Sequence, residues 1–179
     1  MEVGKVIAAV RDEVSFEEAC KSKADIIFDL APSIENIERR VILCTKHNKT
    51  LFIHIDLTEG IGKDKAGLRY ISDCGVDGII STRTSLIKAA NEVGLKTVQR
   101  TFLLDSQSVE TAVSMLKTKP DMLEIMPGVI STRVISIICS KVSIPVIAGG
   151  LIETVAEAET AIAAGAVAVS TGKKELWNH

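Results

Sequence analysis

The sequence predicts an α/β fold, a compact (β/α)8 barrel of the TIM type with short loops and abbreviated terminal helices, formed as one domain over residues 1–179. Three observations carry this prediction. Eight short runs rich in β-branched residues recur along the chain, segments with helical spacing lie between them, and polar residues interrupt the runs late rather than early. Runs that are apolar on both alternating faces suit parallel strands covered on both sides. Strand–helix alternation argues for a parallel sheet, and eight repeats argue for closure into a barrel.

The first strand is Lys5–Val10, followed by a helix over Ser15–Ser22 in which Ser15 and Glu18 have the spacing of a capping box. The second strand, Asp25–Leu30, precedes Glu35–His47, whose Ile37, Val41 and Cys44 share one helical face. Leu51–Asp56 and Gly78–Thr82 are the third and fourth strands, and Lys96–Phe102 the fifth; Gly75 and Gly94 sit where the intervening helices should stop. Ser106–Lys117 places Val109, Val113 and Leu116 together, with Ser106 or Ser108 as its cap. Met122–Pro127 and Ile144–Gly150 are the sixth and seventh strands. The Ala- and Glu-rich stretch Thr154–Ala164 favours helix up to Gly165. Ala166–Thr171 is the eighth strand, with a last short helix over Lys173–Trp177. The segments GVDGIIST (Gly75–Thr82) and GAVAVSTG (Gly165–Gly172) echo each other four repeats apart, as the same structural unit used twice. At 179 residues the chain is shorter than the roughly 200 or more usual for this barrel, so the first and last helices are expected to be the shortest.

Hydrophobic residues at 46% and charged residues at 25% suit a globular chain, and 3% aromatic residues leave the core to Ile, Val, Leu and Ala. A net charge of −2 gives no global electrostatic case for nucleic acid or an anionic membrane. Cys20, Cys44, Cys74 and Cys139 form no CxxC pair, so they read as small buried residues rather than a zinc or redox motif. No apolar run approaches the ~20 residues of a membrane span, and Met1–Val10 does not read as a leader, so a cytoplasmic location is the default expectation.

In such barrels the functional face lies at the C-terminal strand ends. There the sequence puts Asp29, His54, Asp56, Arg83, Arg100 and Glu124, with Ser81, Thr82 and Gln99 beside them. Charges at one rim need partners. They either satisfy one another, as Arg100 with Glu124, or line a polar pocket that orients a small ligand. The last two strand ends carry Gly149-Gly150 and Ser170-Thr171-Gly172, with Lys173 next. Glycines let backbone N–H groups approach an anion, and the loops after strands seven and eight are the usual phosphate seat of this fold. The alternative is tight turns and nothing more. Pro127-Gly128 either turns the backbone over the pocket or is a plain loop stop, and Glu59–Asp64, which lacks Walker spacing, is discounted as a phosphate loop and stays a candidate lid over the rim.

Several motifs together resemble one family: HIDLTEGIGKD (His54–Asp64), GIISTR (Gly78–Arg83), Gln99-Arg100 with FLLD at Phe102–Asp105, EIMPGVI (Glu124–Ile130), PVIAGGLI (Pro145–Ile152) and AVAVST (Ala166–Thr171). This chain resembles the glycerol uptake operon antiterminator regulatory proteins, which respond to glycerol 3-phosphate. The resemblance runs nearly end to end and implies a regulator, with no catalytic residue, no metal and no cofactor. Its effector would be glycerol 3-phosphate, and its partner the leader mRNA of glycerol-utilisation genes, on which it lets transcription pass a terminator. It implies that Gly149, Gly150, Ser170, Thr171 and Gly172 hold the phosphate, and that Asp29, His54, Asp56, Arg83, Arg100 and Glu124 face the glycerol end or order the pocket. Candidate RNA contacts are Arg39, Arg40, Lys46 and Lys49 on or after one helix, and Lys173 and Lys174 near the pocket; an ordinary solvated helix face is the alternative for each. The chain departs from the family pattern at Ser131-Thr132-Arg133, in its first helix and in its tail.

Two other functions compete. One is an enzyme of the phosphate-binding barrel type, an isomerase or metal-dependent phosphodiesterase, with Glu124 or His54 as acid or base and Arg100 as electrophile. The other is a metabolite sensor that acts through a protein partner. The sequence leaves the oligomeric state open, a homo-oligomer included.

Overall fold

A computed structural model describes residues 5–179; Met1–Gly4 and the side chain of Ser106 lie outside the described residues. Eight parallel strands close on themselves in sequence order. They are β1 (Lys5–Val10), β2 (Ile26–Asp29), β3 (Thr50–His54), β4 (Gly78–Ser81), β5 (Lys96–Phe102), β6 (Met122–Met126), β7 (Val146–Gly149) and β8 (Ala168–Thr171). β8 returns to β1 with Ile7 opposite Ser170. Among the described residues seven helices alternate with them: α1 (Glu13–Lys21), α2 (Ile37–Lys46), α3 (Lys65–Asp73), α4 (Thr84–Glu92), α5 (Ser106–Met115), α6 (Thr132–Lys141) and α7 (Val155–Ala163). The chain ends in a 3-10 turn, Lys174–Asn178. All eight expected strands are present, and the terminal element is abbreviated as expected.

The first helix is not. At nine residues it matches α3, α4 and α7, because it starts two residues before the expected Ser15. Its N-cap is Asp12, with φ at −144°, whose carboxylate accepts from the Ser15 backbone N–H at 2.8 Å and from Ser15 Oγ at 2.9 Å. Ser15 is thus the third helical residue rather than the cap. A carboxylate accepting the first free N–H groups also favours the positive end of the helix dipole. α5 is likewise capped by Asp105, in a capping box with Ser108.

Two cores result. The larger lies between strands and helices, where Ile27, Ile53, Ile79 and Ile125 meet Phe16, Leu68 and Ile138. The smaller fills the barrel with Ile7, Phe28, Leu30, Phe52, Ile80, Val98, Ile147 and Ala168. Phe28 and Phe52 meet edge to face there at 5.6 Å, a preferred aromatic geometry. This plug closes the N-terminal half of the barrel and leaves polar residues for the other end.

Candidate functional site

Side chains alternate along a strand, so the residues of the inner plug fix which others point inward. One step beyond the plug on the same parity stand His54 on β3, Arg100 on β5, Glu124 on β6, Gly149 on β7 and Ser170 on β8. Opposite parity turns Asp29, Ser81, Gln99 and Thr171 toward the helix layer.

Glu124 is fully buried and joins two strands to its own. Arg100 Nε donates to Glu124 Oε2 at 2.5 Å, and Ser170 Oγ donates to Glu124 Oε1 at 2.6 Å. Gly149 explains how these groups fit. A Cβ there would lie 2.5 Å from both Glu124 Oε1 and Ser170 Oγ. Gly149 therefore makes room for the bridge; it is not among the residues lining the cavity beside it.

That cavity, of about 430 Å³, opens at the C-terminal ends of β7, β8 and β1. Its lining includes Gly150, Leu151 and Ile152 after β7, and Ser170, Thr171, Gly172 and Lys173 at the end of β8. Arg11 and Arg100 add two guanidinium groups to the wall. Gly150 and Leu151 take positive φ, +79° and +62°, bending the turn sharply. Among the described residues, the N–H groups of Leu151, Ile152 and Gly172 have no protein acceptor. Asp12 and Glu153 also line the wall; free amides beside cations are the chemistry that suits an anion. The Pro127-Gly128 turn abuts it: the Gly128 N–H donates to the Gly150 carbonyl at 3.0 Å.

Thr171 lines the cavity, but its hydroxyl is engaged elsewhere. It donates to the Ile152 carbonyl at 2.6 Å and accepts from the Lys173 N–H at 3.0 Å. The Thr171 carbonyl in turn accepts from Trp177 Nε1 at 2.9 Å. Thr171 is the knot that fixes one turn against the other.

Of the six rim residues expected from sequence, only Arg100 lines this cavity. Asp56 lies in a 3-10 turn, Ile55–Leu57, not in the third strand. It holds the end of β4, accepting from the Thr82 N–H at 2.8 Å, Ser81 Oγ at 3.0 Å and Arg83 Nε at 2.8 Å. Burial pushes the Asp56 carboxyl up, but these hydrogen bonds, led by Thr82, bring it below its ordinary value. His54 lies beneath, its Nδ1 buried without a hydrogen-bond partner and 3.9 Å from Asp56. Burial first, then the Arg100 charge, push its pKa down to about 4. Lys63 donates to the Thr58 and Ile61 carbonyls, so the loop expected as a lid is tied into its own turn.

Asp29 is not a rim group. It is fully buried under α2, in an ion pair with Arg40. The same pair removes Arg40 as an RNA contact, since it is 3% exposed and its guanidinium stacks 4.8 Å from the Phe16 ring centroid. Arg39 pairs with Glu13 and Glu17, and Lys49 donates to the Ser22 carbonyl at 2.7 Å. Lys46 is exposed. Lys174 pairs with Glu18 at 2.7 Å, and Lys173 is exposed and 3.8 Å from Glu175. Sequence reasoning missed Arg11, which directly follows β1 and was open to the same strand-end logic.

A family model described as "Glycerol-3-phosphate responsive antiterminator" matches residues 6–177. The Escherichia coli K12 protein called "Uncharacterized protein YgcP" is 36% identical over 174 residues, covering 96% of this chain and 91% of that protein. The crystal structure of a glycerol uptake operon antiterminator regulatory protein from Listeria monocytogenes superposes with a TM-score of 0.89 at 31% identity, covering 97% of this chain and 94% of that one. A glycerol uptake operon antiterminator-related protein from Thermotoga maritima gives 0.86 at 30%, covering 98% of each. Aldolases near 14% identity share the fold alone. With the family match running almost from end to end, and two solved relatives above 29% identity on the same closed barrel, this chain belongs to the glycerol-3-phosphate-responsive antiterminator family.

Proposed function

We propose that this chain binds glycerol 3-phosphate in the cavity at the ends of β7 and β8 and, with it bound, engages the leader mRNA of glycerol-utilisation genes so that transcription passes a terminator. The observation that carries the reading is one cavity of about 430 Å³ where the unpaired amides of Leu151, Ile152 and Gly172 share a wall with Arg11, Arg100 and Lys173. Amides and cations around one space suit a dianionic phosphate. The phosphate sits at the turns, with the glycerol end toward Arg100 and Ser170. Glu124 and Arg100, the groups an enzyme would use as acid or base and electrophile, hold each other at 2.5 Å, as suits a site that recognises rather than turns over its ligand.

RNA contact belongs to the rim around the cavity rather than to α2. Arg39 and Arg40 of α2 are bound up in pairs with Glu13, Glu17 and Asp29, whereas Lys173 is both exposed and part of the cavity wall. A ligand that fixes these turns biases the surface next to them. The test is a gel-shift titration of leader RNA with and without glycerol 3-phosphate, at several salt concentrations. The expected result is tighter RNA binding with ligand, weakening as salt rises. Failure to bind RNA at low salt with the ligand present overturns the antiterminator reading for this chain.

A further inference from the structure

We infer that the Glu124–Ser170 hydrogen bond makes this site select a hydroxyl over a carbonyl on the ligand carbon beside the phosphate ester. The inference rests on the cavity being the effector site proposed above. A serine hydroxyl has one proton, and a carboxylate can only accept. At 2.6 Å from Glu124 Oε1, Ser170 must therefore give its proton to Glu124. What Ser170 shows the cavity is then an oxygen that accepts and cannot donate. Gly149 permits this contact, because any Cβ there would fall 2.5 Å from both oxygens.

Arg100 supplies the opposite character. Its Nε is committed to Glu124 at 2.5 Å, while its terminal nitrogens have no protein acceptor among the described residues, and the residue lines the cavity. The cavity floor is thus a donor beside an acceptor, with Glu124 holding both. An alcohol fits that pair, since its oxygen accepts from Arg100 and its proton goes to Ser170. A carbonyl oxygen satisfies Arg100 but meets Ser170 as acceptor against acceptor, leaving a buried lone pair without a proton. Ser170, Gly172 and Arg100 line one cavity, so with the phosphate seated on the free Gly172 amide, the oxygen that Ser170 and Arg100 read is the one on the carbon next to the phosphate-bearing carbon. Glycerol 3-phosphate and dihydroxyacetone phosphate share the phosphate-bearing carbon and differ at its neighbour, a hydroxyl in the first and a carbonyl in the second. A site whose polar groups are fixed by burial rejects a mismatched partner strongly, here by roughly tenfold to a hundredfold.

Calorimetric titration of the whole chain with glycerol 3-phosphate, dihydroxyacetone phosphate and inorganic phosphate tests this. The wild type should prefer glycerol 3-phosphate over dihydroxyacetone phosphate by that factor. Glu124→Gln should turn its carbonyl to Arg100 and its amide to Ser170, freeing the Ser170 proton toward the ligand, so that the preference disappears or reverses. Ser170→Ala, which removes the acceptor without a buried charge change, should narrow the preference toward unity. Equal wild-type affinities for the two esters, or both variants keeping the wild-type ratio while weakening both ligands, would overturn the discrimination and leave the effector site standing. A wild type that binds none of the three overturns the site itself, and this inference with it.

Discussion

His54 stays neutral because burial and the neighbouring Arg100 charge disfavour its imidazolium, with a pKa of about 4 against about 6.5 in an unfolded chain. Between those values the unfolded state takes up a proton that the folded state refuses, so stability rises with pH across that window and is lost as pH falls through it. Denaturation at a series of pH values should show this slope, worth a few kcal/mol at most, and His54→Asn should flatten it. Asp29 behaves oppositely once its partner is gone. Burial already pushes its carboxyl up against the pull of Arg40. Arg40→Met should cost about 3–5 kcal/mol, more at high pH than at low, as urea midpoints would report. The late polar residues of the strands were legible as a set. Their direction was not, because both faces of a covered barrel strand are apolar. Ile27 and Phe28 look alike in the sequence, although one lies outside the barrel and the other inside, and Asp29 inherits that ambiguity.

At the scale of elements, the β7 and α7 junction is the most exacting segment. Gly149→Ala would push a methyl into Glu124 and Ser170, an overpacking that should cost about 1–3 kcal/mol and weaken ligand binding as well. A few residues on, Thr154 caps α7 in a reciprocal box with Glu157. Thr154→Ala should cost about 1 kcal/mol in thermal unfolding, with the barrel otherwise intact. Every strand was legible because short runs rich in β-branched residues, alternating with segments of helical spacing, are a local signal. The start of α1 was not, because Asp12-x-x-Ser15 and Ser15-x-x-Glu18 both carry cap spacing. Only the extended backbone at Asp12 decides between them.

For the whole molecule, a ligand that binds only the closed barrel must raise its stability. Glycerol 3-phosphate at a hundred times its Kd should add about 2.7 kcal/mol, seen as a rise in Tm with concentration. Gly150→Asp, which sets a negative side chain on the cavity wall, should remove that rise. The two glycine-bearing turns were legible as a pair because a barrel's order of strands makes the seventh and eighth neighbours. The basic surface was not, since the pairs of Arg39 with Glu13 and of Lys174 with Glu18 join elements that the sequence keeps apart. The chain has a single tryptophan, and its indole is anchored to the last residue of β8, on the wall of the cavity. The protein thus carries its own optical probe: native emission should be blue-shifted, and its intensity should change as the effector site fills, with no label attached.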